Sequence, residues 1–199
     1  MIYLWKNPER YSEKYVAEYF QDEIVDRYIF EDGKKLTKED INGEVIFKCN
    51  NKLEQICKFD EIINVCPFPI VNTKIIGILN EIAPSHVQFF DVRIECLDGL
   101  LTNYKILNVT SLVKGIDHEL SVLEKLDGYP DIIGFKYIEY NHDCLGKLDI
   151  ARDAEYLSMI VVSEKIKQRF KEDGIKSTRF ITPEEYYNNQ YDDDGRRRL

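Results

Sequence analysis

The stretch that most constrains this chain is Met159 to Phe180. It opens with Met159-Ile160-Val161-Val162. A short unbroken apolar run, mostly β-branched, reads as a strand buried on both faces. Ser163 follows as an N-cap whose hydroxyl can accept a hydrogen bond from a free backbone N–H of the first helical turn. Glu164 then stands where the positive end of the helix dipole favours an acid. Ile166 and Phe170 are four apart and share one face. Gly174 can take the left-handed conformation that stops a helix, and Ile175 can fold back on Phe170 as in a Schellman ending. The spacing therefore predicts a strand, a helix over 164–173 and a second strand ending in Thr178-Arg179-Phe180. This unit governs folding and carries no chemistry of its own.

The rest of the chain is read in the same way. Ile2 to Trp5 predicts a short strand. Asn7-Pro8-Glu9 is a helix start, and Tyr11, Tyr15 and Tyr19 recur every four residues as an amphipathic helical stripe. Ile24 to Phe30 predicts a strand ended by an Asp32-Gly33 turn, and Val45 to Phe47 a further strand before an Asn50-Asn51 turn. Cys66-Pro67-Phe68-Pro69 blocks both helix and ladder pairing and divides an N-terminal lobe, 1–66, from a C-terminal lobe, 67–185. Asn72 caps a helix running from Thr73 towards Ala83, with Ile75, Ile78, Leu79 and Ile82 as its apolar face and Pro84 as its end. Val87 to Leu97 predicts one long strand, Asp98-Gly99 a hairpin turn, and Tyr104 to Val109 the return strand. Ile132 to Tyr140 predicts another strand, and Thr182 to Glu185 a last helical turn. About eight strands and four helices, not strictly alternating, predict an α+β fold. The expected form is a twisted, mainly antiparallel sheet with helices packed on one side, in a single domain over 1–191, followed by a charged tail, 192–199.

Composition narrows the function. The 199 residues are 44% hydrophobic, enough for a real core, and carry a net charge of −9. The tail segment Asp192 to Arg198 sums to zero, so the folded part carries the whole excess. A field of that sign repels phosphate backbones and attracts basic partners. Nucleic acid is therefore not an expected partner. Cysteines 49, 57, 66, 96 and 144 are odd in number and lack a C-x-x-C spacing, which fits reduced thiols in a cytosolic protein. The N-terminus is too short and too soon polar for a signal peptide, and no apolar run is long enough to cross a bilayer, so a cytoplasmic protein without a membrane is expected.

The familiar catalytic devices are missing: no G-x-S-x-G elbow, P-loop, H-E-x-x-H or dinucleotide glycine fingerprint occurs. His142-Asp143-Cys144 puts a thiol, an imidazole and an acid together, but adjacent residues seldom aim at one site, and Gly146 marks the place as a surface turn. Asp117-His118-Glu119 lacks a second histidine or cysteine at ligand spacing, so neither a metal nor a cofactor is expected. A cysteine-dependent hydrolase using Cys144 or Cys96 with a distant histidine is the alternative reading. Carboxylates are spread at Asp91, Glu95, Asp98, Asp117, Glu119, Asp127, Asp131, Glu139 and Asp143. Folded together, they would form an acidic face that speeds and selects association with a basic protein.

The order of elements from Pro69 onward also resembles a known family. The residues that carry the likeness are the Ile70-Val71-Asn72 helix start, Tyr104-Lys105-Ile106-Leu107-Asn108-Val109 and Ile116-Asp117-His118-Glu119-Leu120-Ser121. They continue with the Ile132 to Phe135 strand and with Ile160-Val161-Val162-Ser163-Glu164 through Gly174-Ile175 to Phe180. Upstream, Phe30-Glu31-Asp32-Gly33-Lys34-Lys35-Leu36 fits more loosely. On these residues the chain resembles the eleventh numbered immunity-protein family of bacterial polymorphic-toxin systems, formerly a domain of unknown function. Lys176-Ser177-Thr178 depart from the family, standing where a small residue or glycine often sits. The resemblance implies a soluble cytoplasmic protein, not an enzyme, that binds and neutralises a toxin made by the same cell. Many such toxins are basic nucleases. The family supplies no catalytic residue, and toxin contacts differ from pair to pair.

Overall fold

A computed structural model describes residues 1–8, 11–20, 25–128 and 131–190. In chain order its strands and helices are β1 (Ile2–Lys6), β2 (Glu18–Tyr19), β3 (Ile46–Lys48), α1 (Leu53–Ile56), β4 (Glu61–Ile62), β5 (Ile70–Asn72), α2 (Thr73–Ile82), β6 (Val87–Asp91), β7 (Arg93–Cys96), β8 (Gly99–Leu101) and β9 (Tyr104–Val109). They continue with β10 (Leu112–Val113), β11 (Val122–Lys125), β12 (Ile132–Tyr137), β13 (Ile150–Asp153), β14 (Ile160–Ser163), α3 (Glu164–Glu172), β15 (Arg179–Ile181) and α4 (Pro183–Gln190). The class is α+β, with mainly antiparallel pairing: only β3–β7 and β10–β13 run parallel among the described strand pairs.

The strands form four sheets, ordered β10-β13-β14-β1-β15, β11-β12, β2-β3-β7-β8 and β4-β5-β9-β6. Side-chain alternation along a strand sends neighbours to opposite faces, and here it makes two of the sheets walls between cores. In the β4-β5-β9-β6 sheet, Ile70 and Ile106 enter one core, shared with Phe30, Phe47 and Phe68, while Val71 and Leu107 enter the next. In the β10-β13-β14-β1-β15 sheet, Tyr3 and Trp5 face that second core, and Ile2 and Leu4 face a third. The helices α2 and α3 supply Ile75, Ile78, Leu79, Ile166 and Phe170 to the second core. The third core holds Phe135 of β12, with Tyr156 and Tyr186 edge-on to its ring at 5.0 and 6.5 Å between centroids.

The strand, the helix and the Gly174 ending of the unit over 159–181 form as expected, but the Ser163 cap does not. Ile175 N donates to Phe170 O at 2.9 Å and Gly174 N to Lys171 O at 3.1 Å, with Gly174 at φ +67°, the paired bonds of a Schellman ending. The strand β1 inserts between β14 and β15, antiparallel to both, so those two run parallel without touching. Asn72 caps α2 by accepting from Lys74 N and Ile75 N at 3.0 and 3.2 Å. Ser163 stands at the N-cap position of α3, but its hydroxyl makes no bond to the helix and donates instead to Asp149 Oδ1 at 2.7 Å.

Three expectations are corrected. The tyrosine stripe is not an α-helix: Glu13–Tyr15 makes one 3₁₀ turn and β2 pairs with β3, while Ala17 N donates to Ile63 O at 2.8 Å. Tyrosine, valine and phenylalanine have modest helix propensity, and a short helix is marginal in isolation, so strand partners prevail. Tyr15 and Tyr19 still pack on the first core. Glu9 and Arg10 of the expected helix start lie outside the described residues. The expected strand over 24–30 is a 3₁₀ turn, Arg27–Phe30, because Asp26 accepts from Tyr28 N at 3.0 Å and curls the chain; Ile24 lies outside the described residues. The long strand over 87–97 divides at Val92: β6 pairs with β9 in one sheet, β7 with β3 and β8 in another. The Asp98-Gly99 turn does form a hairpin, but its return strand is β8 rather than β9.

A candidate protein-binding surface

The feature with the clearest surface character is the hairpin of β11 and β12 together with its flanks. Ile116 bridges to Tyr140 at its base. Asp117 N donates to Glu139 O at 2.9 Å, and Asp117 Oδ1 accepts from Glu119 N and Leu120 N at 2.9 and 3.1 Å, an Asx turn that fixes the approach to β11. The Ser121 hydroxyl locks the two arms by accepting from Glu139 N at 2.9 Å and donating to Glu139 O at 3.2 Å. Tyr137 Oη donates to Glu139 Oε2 at 2.8 Å. Register shifts in the ladder leave Ile133 and Lys136 as extra residues on β12, and both are exposed.

The inward side of the hairpin is anchored: Leu123, Ile132 and Phe135 pack into the third core. Its outward side is apolar and acidic at once. Leu120, Val122, Leu126 and Ile133 are 60%, 50%, 56% and 50% exposed. Over 117–139 six carboxylates face two lysines, a net −4 out of the chain's −9 in little more than a tenth of its length.

The acidic residues singled out by the sequence divide between two regions. Asp117, Glu119, Asp127, Asp131 and Glu139 belong to this hairpin and its flanks, with Asp143 in the exposed loop that follows. Asp91, Glu95 and Asp98 lie at β6, β7 and the turn after β7, and each already has a partner. Asp91 pairs with Lys105 at 2.5 Å, Glu95 with Arg93 at 2.9 Å, and Asp98 accepts from Leu53 N at 2.7 Å at the start of α1. Asp91 also borders a broad groove of about 840 Å³ lined by Phe89, Phe90, Arg93 and Leu100. Sequence reasoning missed β11 and the four exposed apolar residues. Their signal is faint: Val122-Leu123-Glu124-Lys125 is too short to show a period.

The thiols and imidazoles do not converge. His86 Nδ1 lies 2.7 Å from Ser111 Oγ and His118 Nε2 lies 2.8 Å from Glu155 Oε1, and no hydrogen bond joins a histidine to a cysteine among the described residues. Burial raises the thiols of Cys96 and Cys144, and takes Cys49 and Cys66 up to about 11, the opposite of nucleophile activation. No cluster of three His, Cys, Asp or Glu close enough to hold a metal occurs among the described residues. Nor does any described helix have the length and apolarity to cross a membrane. One further acid is unusual. Glu61 is buried at the edge of a cleft of about 160 Å³ beside Trp5, Asn64, Pro67 and Ile160. Trp5 Nε1 donates to its two oxygens at 3.2 and 3.0 Å and Thr178 Oγ1 to Oε2 at 2.5 Å, and burial pushes it up to about 7. These neutral donors occupy the carboxyl group, which leaves it a structural post joining β4 to β1 and to the segment before β15.

Scanned against models of known protein families the chain matches none, and a search of curated proteins likewise returns no match.

Proposed function

We propose that this chain is an immunity protein of the bacterial polymorphic-toxin type. In this reading it works in the cytoplasm, binds a basic toxin made by the same cell, possesses no catalytic activity of its own, and acts by covering the toxin. The observation that supports this reading is the hairpin surface: exposed apolar residues on an anchored support, within a stretch, 117–139, that carries a net −4. Exposed apolar residues with a polar surround are what a protein-binding site presents, and the acid excess selects a cationic partner and raises its association rate. The raised thiols and separate histidines give the cysteine-hydrolase alternative no support. The reading predicts a toxin gene directly upstream of this one, and the decisive experiment is co-expression with the toxin it encodes. Cells should survive, and the two proteins should migrate together on size exclusion. Equal killing with and without this chain overturns the reading.

A further inference from the structure

The β11–β12 pair stands apart from the other sheets. It has two strands, so β11 is hydrogen-bonded to β12 on one edge and has no strand on its other edge among the described residues. Such an edge offers a row of backbone donors and acceptors to any extended segment that approaches it. Of the eleven large hydrophobic residues that are exposed among the described residues, four lie between 120 and 133, on and around this hairpin. The wider stretch 117–139 carries −4 of the chain's net −9.

We propose that the free edge of β11 is the docking site, and that it takes an extended segment of the partner, rich in lysine or arginine, as a third strand. The proposal rests on the toxin-binding reading for the class of partner and adds the surface and the mode of recognition. Main-chain bonds to β11 would hold the segment. Leu120, Val122 and Ile133 would take its apolar side chains, and Glu119, Asp127 and Asp131 its cations. Charge also selects against the simplest competitor. A second copy would bring another net −4 hairpin edge to edge with the first, and like charges brought together at an interface are strongly disfavoured. The hairpin needs little reorganisation to bind, because its base is pinned at Asp117, Ser121 and Glu139 and its inner face by Phe135.

The test uses the full chain and a catalytically inactivated form of the upstream toxin. Hydrogen exchange of the complex should show new protection at the β11 amides. Two variants change only exposed groups, Glu119→Lys with Asp131→Lys, and Leu120→Ser with Val122→Ser, and both should melt at the wild-type temperature. The charge pair should slow association about tenfold at low salt, and the apolar pair should weaken the complex about tenfold, as removal of central contacts does. Wild-type affinity in both variants, with β11 unprotected while co-expressed cells still survive, would overturn the docking site and leave the immunity reading intact. No complex with wild-type protein overturns both. Protection of β11 that grows with protein concentration without toxin makes a second copy the occupant and also overturns the proposal.

Discussion

Glu61 is a carboxyl group with no cation beside it among the described residues. Its neighbours are neutral donors, Trp5 and Thr178, and Ser177 Oγ accepts from its backbone N–H at 2.8 Å. Burial holds it protonated up to about 7, against an ordinary value of 4.5. Below pH 4.5 folded and unfolded chains both carry the proton, and the group costs nothing. As pH rises from there, the unfolded chain ionises first, so stability falls until the folded pKa is passed, by about 3 kcal/mol in all. Urea midpoints of the wild type should therefore decline between pH 5 and 7.5, and Glu61→Gln, whose amide oxygen can still accept from Trp5, should remove most of that slope. Parallel profiles for the two proteins would show that Glu61 is not the cause. Gly115 is constrained in another way. A Cβ there would lie 2.6 and 2.9 Å from two carbons of the Tyr140 ring and 3.1 Å from Cys144 Cβ, and that ring is buried. Overpacking of this kind costs about 1–3 kcal/mol, so Gly115→Ala should lower the melting temperature by several degrees. An unchanged melt would mean that the ring has room to move.

At the scale of elements, the two helix starts look alike in sequence and differ in use. Asn72 accepts from two N–H groups of α2, so Asn72→Ala should cost about 1–2 kcal/mol and speed exchange of the first-turn amides of α2. Ser163 is bonded to Asp149 instead, so Ser163→Ala should cost about 1 kcal/mol, the worth of that one bond, and leave first-turn exchange in α3 unchanged. Faster exchange in α3 would place Ser163 back in a capping role. The contrast marks what could be read from the chain. The caps at Asn72 and Gly174, the helices they bound and the β14 strand follow from neighbours within a few residues, and were legible. The partner of Ser163 is fourteen residues away and was not. The break at Val92 was hidden for the same reason: 87–97 reads as one strand, and only its distribution between two sheets divides it. The tyrosines at 15 and 19 reached the core as their apolarity required, but Tyr15 from a single 3₁₀ turn and Tyr19 by pairing with β3, not along one α-helix. Of the candidate surface, the carboxylates were visible only as part of a wider spread from Asp91 to Asp143. Which acids gather on the hairpin, and which are already paired at 91, 95 and 98, depended on the sheet arrangement.

At the scale of the whole molecule, the chain has one tryptophan, and it sits where distant segments meet. Trp5 comes from the first strand, and its ring packs edge-on to Phe170 of α3 and Phe180 of β15 at 5.4 and 5.3 Å, while its Nε1 reaches Glu61 of β4. Fluorescence from Trp5 therefore reports the second core, whereas far-UV circular dichroism reports the strands and helices of every layer. A boundary at 66–69 taken alone would predict two transitions, one for each lobe. The shared wall argues otherwise. The β4-β5-β9-β6 sheet is buried on both faces, with Ile70 and Ile106 in the first core and Val71 and Leu107 in the second. Loss of the first core would strip one face of that sheet and expose its apolar side chains to water, at roughly 25 cal/mol per Å². The second core would then have to survive on a sheet with an unsupported back. Unfolding in urea should accordingly give one transition, with the same midpoint by Trp5 fluorescence and by circular dichroism. If the dichroism changes in a first step while the fluorescence holds, the first core melts by itself, and the two-faced sheet does not couple the layers.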